Sequence, residues 1–423
     1  MISTTYNEQN NALANDILHR NYYDIFNNSA TKDLRTLSFI IDNQITKNHF
    51  CFNNFQTDTI TTGYNNLLPF IQWYIQNDYQ CNIELFGEGW QENLEQTHYI
   101  LGLLLNNFGR ARFKPKQIII HGNCPFLNYP NLIQLWETYH QAFTKARITL
   151  VFRTYVNGLG LDIDDRLTQN FYEQYKFWHK THLVYNTVTL IGNKLKNCLS
   201  NLDWWQQYFS TPELLNTRFI EDKGYRYTMD DINLLSQYYT TLFNIYLNIM
   251  GKEQLAKWII EKESIVQLNP LICSSQDTIP CHCYNSLTID LATLAVGLCP
   301  NLSNSLFTIG HYQINDGKIT DFIADNVDIL IVKDHLKRSE MPKCIQCLFA
   351  GLCPGTCLSC NYNESGNPIV PMYEVCMLLR MKYALLFSLV KDNNIIDEWS
   401  KINTIESQYL IKLCQEVNKN VEH

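Results

Sequence analysis

Several features that would assign a class at once are missing from this 423-residue chain. There is no apolar stretch of signal-peptide type, since the N-terminus, MISTTYNEQNNALAND, is polar and rich in Asn. There is no membrane-spanning run, because the longest apolar stretch, Met377 to Val390, is cut by Arg380 and Lys382. There is no basic run either, and a formal charge of −8 with a pI near 5.8 argues against nucleic acid or an anionic membrane as partner. No repeat at solenoid spacing is visible. The expected compartment is a reducing cytoplasm, where a disulfide framework is the weaker reading for clustered cysteines.

What is present is ample core and an uneven distribution of sulfur. The hydrophobic content is 46%, with 8 Trp, 25 Tyr and 21 Phe, and the length suits a large domain with a smaller one appended. Apolar, strand-like runs at Leu37–Ile41, Asn82–Phe86, Gln117–His121, Ile148–Arg153, Leu183–Ile191 and Thr217–Ile220 alternate with helical patterns at 64–76, 93–107, 129–144, 165–180 and 202–209. Strands interleaved with helices of this length indicate βαβ units and a parallel sheet, either a partial α/β barrel or a doubly wound sheet. Ligand chemistry is then expected at the C-terminal ends of the strands. Further helices are expected at 229–249 and 253–263, short loops past Gln267, and terminal helices at 371–391 and 395–417. The resulting division is a polar arm at 1–35, an α/β part at 36–265, a Cys-rich part at 266–392 and a last helix at 393–423.

Of 15 cysteines, ten lie between Cys273 and Cys376. The tightest group, Cys344-Ile-Gln-Cys347-Leu-Phe-Ala-Gly-Leu-Cys353-Pro-Gly-Thr-Cys357, is a C-x2-C-x5-C-x3-C run followed by Cys376. Thiolates crowded at such spacings in a reducing compartment point to metal. Zinc and iron–sulfur clusters both remain open at this level. Cys81, Cys124, Cys198 and Cys414 stand alone on apolar segments, as buried small hydrophobes do.

The arrangement from Cys273 to Cys376 resembles the SPASM domain, the C-terminal extension of radical SAM peptide-modifying enzymes. Cys281 or Cys283 would open that domain's hairpin and Cys299 would close it, with Leu294 standing where the family has a hairpin Gly. The resemblance implies two [4Fe–4S] clusters. Cys344, Cys347, Cys353 and Cys376 would hold one. Cys273, Cys281 (or Cys283), Cys299 and Cys357 would hold the other, leaving Cys360 surplus.

A SPASM domain follows a radical SAM barrel, whose signature is C-x3-C-x2-C after the first strand. The corresponding stretch here puts Gln44 and Asn48 at the first two cysteine positions, followed by Phe50, Cys51 and Phe52. Carboxamides are far weaker iron ligands than thiolates, and one thiolate cannot hold a cube. The family's Gly-Gly-Glu-Pro after the second strand reads Phe86-Gly87-Glu88-Gly89, so only Gly87 and Glu88 of the S-adenosylmethionine pocket survive. The chain thus resembles a degenerate, (β/α)6 radical-SAM-like partial barrel with a SPASM domain, and S-adenosylmethionine is not expected as a cofactor.

The function this implies is an accessory subunit in maturation of a ribosomally made peptide. Its partners would be the precursor peptide, an active radical SAM maturase, or both. Two other readings stay open: an enzyme using an open iron of an auxiliary cluster or residual S-adenosylmethionine binding, and an interaction protein held by zinc. His121 ends the third strand and is expected to face the barrel mouth. His49 and His282 read as loop residues.

Overall fold

The computed structural model describes residues 36–41, 63–87, 94–122, 130–157, 184–190, 218–221, 226–261, 286–298, 308–325, 341–350, 353 and 358–421. Its strands are β1 Thr36–Ile40, β2 Asn82–Phe86, β3 Gln117–Gly122, β4 Thr149–Asn157, β5 Val184–Leu190, β6 Arg218–Glu221, β7 Ser286–Asp290, β8 Ala295–Gly297, β9 Thr308–Asn315 and β10 Lys318–Ala324. Its helices are α1 Leu67–Gln76, α2 Leu94–Phe108, α3 Pro130–Lys145, α4 Met229–Glu261, α5 Pro342–Ile345, α6 Leu358–Ser365, α7 Tyr373–Asp392, α8 Ile395–Ile402 and α9 Ile405–Val421. The chain folds into two compact units, one drawn from 1–154 and 282–335, the other from 155–281 and 336–423.

In the first unit the sheet order is β10-β9-β8-β7-β1-β2-β3-β4. Strands β7, β1, β2, β3 and β4 run parallel, and β7 through β10 form an antiparallel meander. Parallel neighbours need a crossover, which α1, α2 and α3 supply between the first four strands. Helix α1 buries Leu67, Phe70, Ile71 and Tyr74, spaced i, i+3, i+4, i+7 along one stripe. Phe70 meets Phe39 of β1 at 5.8 Å, which identifies the sheet face that this helix covers. Leu37, Phe39, Ile83, Leu85, Ile118, Ile120, Leu150, Leu287 and Ile289 share that face by register and are buried.

The six strands expected from the sequence are β1 to β6, within a residue or two except at the C-terminal end of β4. The helices expected at 64–76, 93–107, 129–144 and 371–391 are also present, the first opening with a 3-10 turn at Tyr64–Asn66. Helices expected at 165–180 and 202–209 lie outside the described residues. The helix pair at 229–249 and 253–263 is α4, interrupted at Gly251, whose φ of 72° no right-handed helix allows.

Two expectations are corrected. The last helix is not continuous over 395–417: Asn403 adopts φ 52° and ends α8. Thr404 and Ser407 then bond each other's backbone N–H reciprocally, at 3.2 and 2.9 Å, and start α9 anew. Past Gln267 the chain is not all short loops, because β7 to β10 extend the sheet. The β9–β10 connection is a two-residue turn, Asp316-Gly317, with φ of 49° and 70°, the pattern a tight hairpin requires.

In the second unit β5 and β6 pair in parallel. Helix α4 packs on α7 and α8, with Trp399 fully buried and its indole N–H donating to the Ala256 carbonyl at 3.2 Å. Lys382 of α7 is buried with its ammonium 4.8 Å from the Tyr239 ring centroid, a cation–π arrangement. As expected, Cys81 and Cys414 are buried. Burial pushes the Cys81 thiol up to about 12, and Cys414 Sγ lies 3.5 Å from the Phe387 carbonyl.

The approach to α1 depends on a close backbone contact. Gly63 donates its N–H to Ile41 at 2.9 Å, and a Cβ there would stand 2.1 Å from the Leu291 carbonyl carbon. Gly63→Ala is predicted to cost about 2–3 kcal/mol of unfolding free energy in urea titration. Unchanged stability would rule out this close approach.

Candidate functional site

The face of the first unit's sheet opposite α1 has a different chemistry. Register places Thr288, Ser38, Glu84 and Ile119 in one row across β7, β1, β2 and β3. Thr288 is 0% exposed, Ser38 2% and Glu84 17%. Two residues on, the next row carries Asp290, Ile40, Phe86 and His121. His121, 2% exposed, sets Nε2 3.2 Å from Glu84 Oε2, an ion pair when the imidazole is protonated. Buried polar groups cost free energy unless partnered, so a polar row across the middle of a sheet calls for an explanation. Thr288 Oγ1 is buried with no hydrogen-bond partner.

At the C-terminal end of β2, Phe86 is buried and stacks on His121, centroids 4.0 Å apart and planes at 16°. Gly87 follows and is buried, while Glu88 lies outside the described residues, as do Gln44, Asn48 and Cys51. In the register of the radical SAM resemblance, Phe86 falls where the Gly-Gly-Glu-Pro pattern has a glycine.

Of the expected cluster ligands, Cys344, Cys347, Cys353 and Cys376 are described, and all four are half-buried. Cys273, Cys281, Cys283, Cys299 and Cys357 lie outside the described residues, as do Cys124, Cys198, His49 and His282. Cys344 sits in the short helix α5, Cys347 donates its N–H to the Cys344 carbonyl at 3.1 Å, and Cys353 donates to Phe349 at 2.8 Å. Cys376 lies in the first turn of α7. Phe349, between Cys347 and Cys353, is buried against the same helix, stacked on Tyr383 at 5.4 Å and near-parallel to Phe387 at 6.4 Å. One helix therefore carries Cys376 and grips the loop that carries the other three thiols.

Burial raises the Cys376 pKa, the Cys347 thiolate raises it further, and the Arg380 and Lys343 cations oppose both. Among the described residues no group of three or more His, Cys, Asp and Glu is gathered to hold a single metal ion. A four-iron cube has a different demand, since it takes its thiolates at separate corners. Half-buried thiols within electrostatic reach and flanked by cations suit such an anionic group in kind.

β7 and β8 form a hairpin in the segment between Cys283 and Cys299, where the SPASM resemblance expects one. Asp290 Oδ1 accepts the N–H groups of Ala292 at 2.8 Å and Thr293 at 3.3 Å, forming the turn. Leu294 then adopts φ 60°, the left-handed conformation that glycine favours, and its carbonyl accepts the Tyr312 N–H at 2.9 Å. Leu294 thus holds a conformation that a Gly at this position would adopt without strain.

Neither a protein-family model nor a curated protein matches the chain. Solved structures do. Hexahistidine-tagged anSMEcpe with bound AdoMet aligns at 13% identity over 90% of this chain and 98% of its own, with a TM-score of 0.51. Native anSMEcpe with bound AdoMet and the Cp18Cys peptide aligns at 14% identity over 85% of this chain and 99% of its own, also at 0.51. The chain therefore has a mixed α/β, radical SAM/SPASM-like fold.

Sequence alone points to His121 but not to Ser38, Glu84 and Thr288. Their signal is the polar–apolar alternation in Thr-Leu-Ser-Phe-Ile, Asn-Ile-Glu-Leu-Phe and Ser-Leu-Thr-Ile-Asp. Left-handed φ at a residue other than Gly costs about 1–2 kcal/mol. Leu294→Gly is accordingly predicted to raise the unfolding free energy by about 1 kcal/mol in urea titration, and a loss of similar size would contradict the strained-hairpin reading.

Proposed function

We propose that this protein is an accessory iron–sulfur subunit in maturation of a ribosomally made peptide, acting in the cytoplasm without generating radicals itself. The observation that supports it most is the combination of a radical SAM/SPASM-like fold along most of the chain with Gln44 and Asn48 at two of the three cluster-cysteine positions. The solved structures of similar fold include one with a bound peptide, which favours a peptide as ligand here too. The partners are then the precursor peptide, an active maturase, or both. In this reading 36–265 is the barrel that has lost its catalytic cluster, 266–392 is the SPASM domain and 393–423 the closing helix.

Cys344, Cys347, Cys353 and Cys376 would hold one [4Fe–4S] cluster. Cys273, Cys281 or Cys283, Cys299 and Cys357 would hold the second. Such clusters supply structural cross-linking and one-electron redox capacity when bound. The protein's own part is to seat them: α7 carries Cys376 and holds the Cys344–Cys353 loop through Phe349. Phe86 in the place of glycine, stacked on His121, speaks against S-adenosylmethionine as a working cofactor, and Gly87 and Glu88 are the remnants of its pocket.

Anaerobic purification with metal and sulfide analysis tests the reading. Two cubes predict about eight iron and eight sulfide per chain, and Cys344→Ser with Cys376→Ser is predicted to remove about half of each. A colourless preparation carrying zinc would instead make the protein a zinc-held interaction module.

A further inference from the structure

Helix α6 carries an asparagine where neither burial nor helix propensity calls for one. Asn361 is 0% exposed, and a buried amide costs free energy unless its donor and acceptor are both paired. Asn is also a mediocre helix former, because its side chain competes for backbone partners. Here it has two such partners beyond its own helix. Nδ2 donates to the Pro368 carbonyl at 2.9 Å, and Oδ1 accepts the Met372 N–H at 3.2 Å. Both partners lie on the connection that leads into α7. The backbone of Asn361 belongs to the same corner. Its carbonyl accepts the Ser365 hydroxyl at 2.8 Å, that hydroxyl oxygen accepts the Asn367 N–H at 3.1 Å, and Gly366 turns the chain at φ 70°.

Met372 is the residue on which this tie acts. It precedes α7 with non-helical dihedrals (φ −55°, ψ 130°) and gives that helix no side-chain cap. Its N–H is taken by Asn361, and its carbonyl accepts the Cys376 N–H at 3.0 Å, a bond of the helix's first turn. Asn361, Met372 and Cys376 thus form one hydrogen-bonded chain within the second unit. We infer that Asn361 is a positioning residue for Cys376: it fixes the start of α7 through the Met372 N–H and so sets where the Cys376 thiol stands. The Cys344–Cys353 loop is held further along the same helix, by Phe349 against Tyr383 and Phe387. A helix start left untied would therefore let Cys376 move while the loop stays in place. What Cys376 ligates rests on the cluster reading proposed above, whereas the tie itself is independent of it.

Residue-level hydrogen exchange and metal analysis of the anaerobically purified, full-length protein test this. In the wild type the Met372 amide, although it lies outside the helix, is predicted to exchange slowly. Asn361→Ala is predicted to speed exchange at Met372 and Cys376 about tenfold and to leave Tyr383–Val390 unchanged. It is also predicted to lower iron by about half and to remove one of two paramagnetic signals of the reduced clusters. Trp399→Phe removes another buried hydrogen bond of the same unit and controls for general destabilisation. That variant is predicted to keep its iron and the slow exchange at Met372 and Cys376. An unprotected Met372 amide in the wild type overturns the proposal, even if Asn361→Ala does not fold. So does wild-type exchange at Met372 and Cys376 in Asn361→Ala, equal metal loss in both variants, or full iron in Asn361→Ala. A wild type without iron, with exchange changing as predicted, would remove the cluster reading and leave the positioning role standing.

Discussion

A strand has two faces, and in this protein the two faces of one sheet are held to opposite requirements. Parallel strands covered by helices on one side must present apolar residues there, and Leu37, Phe39, Ile83, Leu85, Ile118 and Ile120 do so almost without exposure. The period of two then leaves Ser38, Glu84, His121 and Thr288 on the other side. Burying those groups opposes folding, and the apolar face offsets that cost. The position of Glu84 beside His121 follows from this alternation.

The second unit rests on a different constraint. Its cysteine loop has little regular structure, and α5 is a single short turn. What positions it is the seating of Phe349 against Tyr383 and Phe387 on α7, the helix that brings Cys376 to the same place. A C-x2-C-x5-C run requires its central residues to fold back, and a large buried ring in the five-residue gap anchors that return.

The parallel half of the fold was legible because apolar strand runs and amphipathic helices follow one another at regular intervals. The β7–β10 strands were harder to read. Proline and cysteine around them suggested loops, although Asp316-Gly317 is a strong hairpin signal. The break before α9 hinged on a Thr404–Ser407 cap embedded in an otherwise continuous helical pattern. For the candidate site, the cysteine spacing is itself the signal for thiolate ligation, whereas the polar row needed the register of three strands far apart in sequence, 38, 84 and 288. The left-handed Leu294 could not be read from its side chain at all, because leucine gives no hint of that conformation.

The proposed accessory role turns on two departures from the radical SAM resemblance: Gln44 and Asn48 stand where it expects cluster cysteines, and Phe86 stands where it expects a glycine. The most direct measurement is reductive cleavage of S-adenosylmethionine by the anaerobically purified protein with a strong reductant, read as 5′-deoxyadenosine. The account predicts formation no faster than in a protein-free control. Sustained multiple-turnover production of 5′-deoxyadenosine by the purified chain would contradict it.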